Sequence, residues 1–462
     1  MARRNPLREV FQGPASSVRS ARGASRLIPG LLGAGLIAAA PLPAPAVKLS
    51  VSPRQFFDAA KAAAERNALA CTPAAPTLTD GRVTASPLTG QILGAAAGTT
   101  GGLGKRLLTV TRLDDAKSSA SRPSPEGTLR WAVETARRSG GGWIVFAPDL
   151  AGEIHLEAGI HLPSDTTLDG GCGGITLSGS PRLTQITLTD VSNVIVSGLA
   201  FTKEAYDDRA DKTGDAIGLT DQFDRVAILH NAFHRCGDGC VDIVRKSRFP
   251  TESRATVAFN HFAEHNKVML IGTLTCYKDA EAEGCHEPLR HLADLMAPRV
   301  TVTVQANVFE GTSQRHPKVV SNAAVQLANN LFLLSPTAYS SGLDSAVYGS
   351  ATGTGGVLRA DGNIFVNPDR AGRIGAGPIS VVRAASGGGR EADGAVAATD
   401  NVTVGNISVV EQDADLARQI PMASVPVRAV SGETAAGLAT CLLRLAGPKG
   451  RAAAWPEVCG GS

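Results

Sequence analysis

Four short segments place charged residues inside otherwise apolar, strand-like surroundings. They are Gly214-Asp215-Ala216-Ile217, Asp238-Gly239-Cys240-Val241-Asp242, His265-Asn266-Lys267-Val268-Met269-Leu270 and Gln314-Arg315-His316-Pro317-Lys318. Asp238 and Asp242 are four positions apart, and in an extended chain residues an even number apart share a side. Two carboxylates on one face repel unless a cation sits between them, and calcium prefers several hard oxygen ligands. Lys267 and Arg315 follow further along the chain. If successive segments stack in register, both basic groups line the face that carries the carboxylates.

The elements that would position these residues read as stacked short strands. From about residue 105, β-branched runs alternate with Gly, Asn and Asp turns: Leu107–Thr111, Trp143–Phe146, Gln185–Thr189, Asn193–Val196 and Val300–Val304. One clear helix, Gly127–Arg137, interrupts them. The tripeptide Asn-x-Phe recurs after strands at Asn231-Ala232-Phe233, Asn260-His261-Phe262, Asn307-Val308-Phe309, Asn330-Leu331-Phe332 and Asn363-Ile364-Phe365, and Asn406-Ile407 continues it without the Phe. The spacings vary, which means that loops of different length leave a regular stack. In such a stack each Phe lies over the next as an apolar column, and each Asn can bond the turn beside it as a ladder.

Composition agrees with this reading. The 462 residues include 51 glycines, only 4% are aromatic and 43% are hydrophobic, which suits many tight turns around a sizeable core. A net charge of +3 is too weak for a nucleic-acid surface. Residues 1–26 are rich in arginine, Leu27–Ala40 is apolar but short for a membrane span, and Ala44-Pro45-Ala46 is a small-x-small cleavage pattern. The chain therefore divides into an export signal over 1–46, a helix and linker over 47–104, the strand stack over 105–410 and a tail over 411–462 that packs on the body. Ser52 and Pro53 open the N-terminal helix, and Gly432–Leu445 reads as a C-terminal one. Eight cysteines in an exported chain suggest disulfides, with the sequence-close pairs Cys236/Cys240, Cys276/Cys285 and Cys441/Cys459 as natural guesses. Zinc is the rival use, but no CxxC or HxxxH spacing supports it.

The four charged segments, in this order, resemble those of the pectate lyases. Further matches lie upstream, at Gly127–Val133, Ile144–Phe146, Thr166–Gly170 and Asn193–Leu199, and the likeness covers roughly residues 97–370. The resemblance implies an all-β fold, a right-handed parallel β-helix with short N- and C-terminal helices. It implies that Asp215, Asp238 and Asp242 bind calcium, that Lys267 binds a substrate carboxylate, and that Arg315 is the base removing the C5 proton of galacturonate. The reaction would be a secreted enzyme's β-elimination of polygalacturonate to 4,5-unsaturated oligogalacturonides, by a monomer without a membrane span in the mature chain. Two departures stand out. Thr213 replaces an acidic residue, and Val320 replaces an arginine whose positive charge Lys318 is expected to supply. The rival readings are a lyase for esterified pectin or another uronan, and a non-catalytic polysaccharide-binding β-helix. The long segment Thr273–Pro298, with Cys276, Cys285, His286 and His291, reads as a loop beside the cleft.

Overall fold

Nearly every strand pairs in parallel with its counterpart one coil along, and this builds a parallel β-helix. A computed structural model describes residues 46–462 except 69, 72–74, 116–122, 205–213, 246–251, 274–298, 321, 335–349, 353–355, 369–378, 382–394, 406, 408, 410, 412, 424, 453–458 and 460–462. One row of strands runs from Gly152–Leu156 through Ala232–His234, His261–Ala263, Val308–Thr312 and Leu331–Leu334 to Ile364–Val366 and Val402–Val404. A larger sheet holds the other two faces, because Ile186–Ser197 and Ile217–Leu229 each run across both. The first half of Ile217–Leu229 pairs with Val241–Arg245 and the second half with Ser253–Ala258.

The recurring tripeptide sets the register. Phe201, Phe233, Phe262, Phe309, Phe332 and Phe365 stack face to face in the interior, with successive ring centroids 4.5–5.0 Å apart. That spacing matches the separation of neighbouring strands, so one ring fits each coil without a gap. Beside the column, the backbone N–H of Asn231, Asn260, Asn307, Asn330 and Asn363 each donates to the side-chain oxygen of the next asparagine at 2.9 Å. Each side-chain amide in turn donates to a backbone carbonyl of the preceding coil, as from Asn307 Nδ2 to Val257 O. Buried turns thereby keep their polar groups satisfied where no strand partner is available. Among the described residues the ladder continues from Asn363 to Asn401, which is followed by Val402 and Thr403; Asn406, where the repeat was expected to continue, lies outside the described residues. With Thr403 standing across from Phe365, the apolar signal that would have marked this rung is missing.

The segment before the stack is sewn into it. Val47–Leu49 pairs in parallel with Val402–Val404. Thr303 Oγ1 and Thr256 Oγ1 accept the backbone N–H groups of Ala95 and Ala96. Helix Pro53–Arg66 begins as expected at Ser52, although the Ser52 side chain makes no capping bond. Leu129–Arg138 and Ala435–Leu445 are the other two expected helices. Cys236–Cys240 and Cys441–Cys459 are bonded as guessed, and Cys71–Cys172 closes a link of 101 residues that sequence proximity could not suggest. Cys276, Cys285, His286 and His291 lie outside the described residues, as do Thr213 and residues 1–45, where an export signal was expected.

Lys61 of the N-terminal helix reaches Glu310 on the outer surface of the asparagine-bearing row, where Glu310 also meets His261 at 3.0 Å. Burial alone would raise the Glu310 carboxyl, but the hydrogen bonds from His261 and Lys61 outweigh it and bring the group down to about 2. The unfolded chain, with an ordinary value of 4.5, takes up the proton first. This contribution to stability is thus present above pH 4.5 and is lost as pH falls toward 2. In thermal unfolding, Glu310→Gln should lie a few degrees below the parent at pH 7, and the gap should close on acidification. Truncating one ring of the column tests the register itself: Phe309→Ala should cost about 3–5 kcal/mol in denaturant unfolding, because the neighbours above and below cannot close the void.

Candidate active site on the third face

The third face carries the charged segments, and the register brings them together. Gly218 pairs with Asp242, Asp242 continues to Leu270, and Leu270 pairs with Lys318. A second row runs Gly239, Lys267, Gln314 through single parallel bridges. Asp238, Asp242, Lys267 and Lys318 therefore come from three neighbouring coils. Asp238 and Asp242 do not meet by alternation along one strand. Asp238 sits in a tight turn, Cys236–Cys240, and only Asp242 lies in a strand.

The turn is the meeting point of the site. Gly239 N donates to Asp215 Oδ1 at 2.9 Å, and Asp238 N donates to Gly214 O at 3.1 Å. Asp238 Oδ1 pairs with Lys267 Nζ at 2.9 Å. His265 Nε2 donates to Asp238 O at 2.7 Å. The Asp242 carboxylate accepts the Leu270 N–H at 2.9 Å and lies so close under Gly239 that a Cβ there would stand 2.3 Å from its oxygen. Glycine is the residue that lets the turn rest on that carboxylate.

Burial pushes the Asp215 carboxyl up to about 6, with the neighbouring Asp238 charge adding to the shift, while the Gly239 N–H, Lys203 and Arg315 pull the other way. Asp242 is also pushed well above its ordinary value, first by burial and then by Asp215, and Arg315 again opposes the shift. A buried carboxylate at Asp242 and half-buried ones at Asp215 and Asp238 thus converge about one turn. This is the chemistry of a hard-oxygen donor set, and it fits calcium.

Arg315 is held from the interior. Its neighbour His316 is buried edge-on against Phe309 and Phe332, and His316 Nε2 pairs with Thr312 Oγ1 at 2.8 Å. Arg315 itself has φ of +61°, a left-handed conformation uncommon outside glycine, and its carbonyl accepts the Met269 N–H at 2.8 Å. Such strain is stored where surrounding structure over-determines a residue. Lys318 is half-buried on the Asp242 row, and Val320 is buried in an apolar cluster with Val244 and Leu270.

Two members of this neighbourhood carry no assignment from the sequence. Lys203 is buried, its ammonium bonded to Leu183 O and 3.3 Å from Asp215 O, and burial lowers it to about 8. A lysine closing the apolar run Leu199-Ala200-Phe201-Thr202 was the available signal. His265 is wholly buried, and burial, reinforced by Lys267, brings its imidazole down to about 4. Cys236, Cys240 and His265 also bring ligand atoms within 4.8 Å of one another, but the two sulfurs are bonded to each other and offer no thiolate.

No family profile matches the chain. It is 29% identical over 273 residues to a probable pectate lyase of Arabidopsis thaliana, covering 58% of this chain and 61% of the relative. A pectate lyase of Chamaecyparis obtusa is 29% identical over 290 residues, covering 60% and 66%. The chain spans about three fifths of the length of the first curated relatives it matches. The crystal structure of the major allergen from cedar pollen superposes with a TM-score of 0.53 over 76% of this chain and 92% of that one, at 19% identity, which is a likeness of fold.

The neutral state of His265 can be checked directly. Its imidazole resonances in NMR should stay those of the neutral ring from pH 8 down to about 5, with a midpoint near 4. A midpoint near 6.5 would mean that the ring is not buried against the Asp238 turn. In sequence the chain is a relative of the curated pectate lyases, and it folds as a parallel β-helix.

Proposed function

We propose that the chain is a secreted, calcium-dependent polysaccharide lyase that cleaves polygalacturonate by β-elimination. The observation that carries this reading is the convergence of Asp215, Asp238 and Asp242 with Lys267 and Arg315 on one face of the helix. Sequence similarity to curated pectate lyases supports it. Disulfides among the described residues suit an oxidising compartment, and no helix among them is long and apolar enough to cross a membrane.

Asp215, Asp238 and Asp242 would hold calcium, which when bound neutralises a uronate carboxylate and so acidifies the neighbouring C5 proton. Lys267 binds that carboxylate as well, exchanging part of its pairing with Asp238 for the substrate. Arg315 takes the C5 proton. The C5–H electron pair becomes the C4=C5 double bond, and the bond from C4 to the glycosidic oxygen breaks; that oxygen leaves with a proton from solvent. A guanidinium is ordinarily a poor base. It can serve here only with the surrounding carboxylates neutralised and the substrate strongly acidified, and the strained backbone at Arg315 fixes where it points. Lys318, on the Asp242 row, supplies a further positive group for an acidic sugar.

A second reading, elimination on methyl-esterified pectin, draws on one feature. Val320, where a further arginine would suit a polyanion, is buried against Val244 and Leu270.

Incubation with polygalacturonate should raise the ultraviolet absorbance of the unsaturated product, and a chelator should abolish the rise. No rise in the presence of calcium would refute the lyase reading. A rise indifferent to chelation and larger on esterified pectin would favour the second. Arg315→Lys should lower turnover by at least about 100-fold, the usual scale for loss of a positioned base, and near-parental turnover would remove Arg315 from the role.

A further inference from the structure

The Cys236–Cys240 disulfide is oddly placed for a staple of the fold. Its partners are four residues apart, whereas Cys71–Cys172 spans 101 residues. A cross-link restrains the unfolded chain more the longer the loop it closes, growing with the logarithm of that length, so the short one contributes least to global stability among the described bridges. Both sulfurs are nevertheless fully buried in the interior cluster, directly beneath the turn that carries Asp238.

We propose that Cys236–Cys240 is a positioning device for the cation-binding face. It rests on the reading of Asp215, Asp238 and Asp242 as calcium ligands. The turn it closes touches each of the three. Gly239 N holds Asp215 Oδ1, Asp238 lies within the turn, and Gly239 rests on the Asp242 carboxylate. The same five residues present Asp238 O to His265 and Asp238 Oδ1 to Lys267.

Two forces work against that arrangement. Gly237, at φ of +100°, and Gly239 flank Asp238, so the turn has the most permissive backbone available. The three carboxylates, gathered about one turn, also repel one another. Gly237 cannot be exchanged for a stiffer residue, because a Cβ there would come within 2.3 Å of Gly214 O. The covalent bridge supplies from below the rigidity that the glycines withhold, and it keeps the ligands converged before the cation arrives. Lys267 and Arg315 stand on other coils, so the bridge reaches Lys267 only through its pair with Asp238 and acts chiefly on cation affinity.

The test compares the full chain with Cys236→Ala/Cys240→Ala and with Cys71→Ala/Cys172→Ala. Calcium affinity is measured by titration calorimetry, the unfolding midpoint is measured in chelator, and turnover on polygalacturonate is measured against calcium concentration. Loss of the short bridge should weaken calcium binding about 10–100-fold, the range typical of groups that orient metal ligands. The midpoint should move by a few degrees at most, and saturating calcium should restore turnover. Loss of the long bridge should do the reverse, with a lower midpoint and unchanged calcium affinity. If the parent binds no calcium, the reading of the three aspartates falls and the inference with it. If the parent binds calcium but cleaves nothing, the lyase reading alone falls. Unchanged calcium affinity in Cys236→Ala/Cys240→Ala overturns the inference by itself, and so does failure of that variant to fold, which would make the short bridge a staple.

Discussion

Parallel pairing between coils is the constraint from which the rest of this molecule follows. A parallel ladder needs each coil to return to the same starting point, and small errors would accumulate along the stack. The phenylalanine column and the asparagine ladder prevent this by giving each coil one ring and one amide that fit only at the ring and amide of the next. Loops can then differ in length without disturbing the faces they leave.

Register also explains how Asp215 and Arg315, a hundred positions apart, come to share one charge environment. Asp215 and Asp242, from neighbouring coils, each feel the Asp238 charge and Arg315. The rows fix the backbone, and a second layer fixes the groups. His316 is tied to the ring column beside Arg315, His265 holds the Asp238 carbonyl, and Lys203 lies against Asp215. The interior and the charged face are thus one mechanical system, with buried histidines as the links.

Much of this was legible in the sequence because repetition is legible. Five Asn-x-Phe tripeptides and four charged segments in order carry both the fold and the face. What escaped notice has physical reasons. The rung at Asn401 lacks its ring, since Thr403 stands opposite Phe365, so the apolar mark of the other rungs is absent there. The bond Cys71–Cys172 joins segments that only the completed stack brings close. Lys203 and His265 act through backbone carbonyls, and nothing in a residue's type announces which carbonyl it will meet. The even spacing of Asp238 and Asp242 suggested the right neighbourhood through the wrong geometry, because a turn and not a strand separates them.

The strand Val47–Leu49 has a consequence for how the chain can reach this state. It lies along Val402–Val404, at the end of the row where the stack would otherwise offer open backbone groups to another strand. A segment made early in synthesis therefore finds its partner only after some 350 further residues have emerged and coiled. Until then the growing end of the solenoid stays uncovered and able to recruit a stranger. The same contact that covers Val402–Val404 makes the interval before it the dangerous one, and it leaves the row ending on a strand of only three residues.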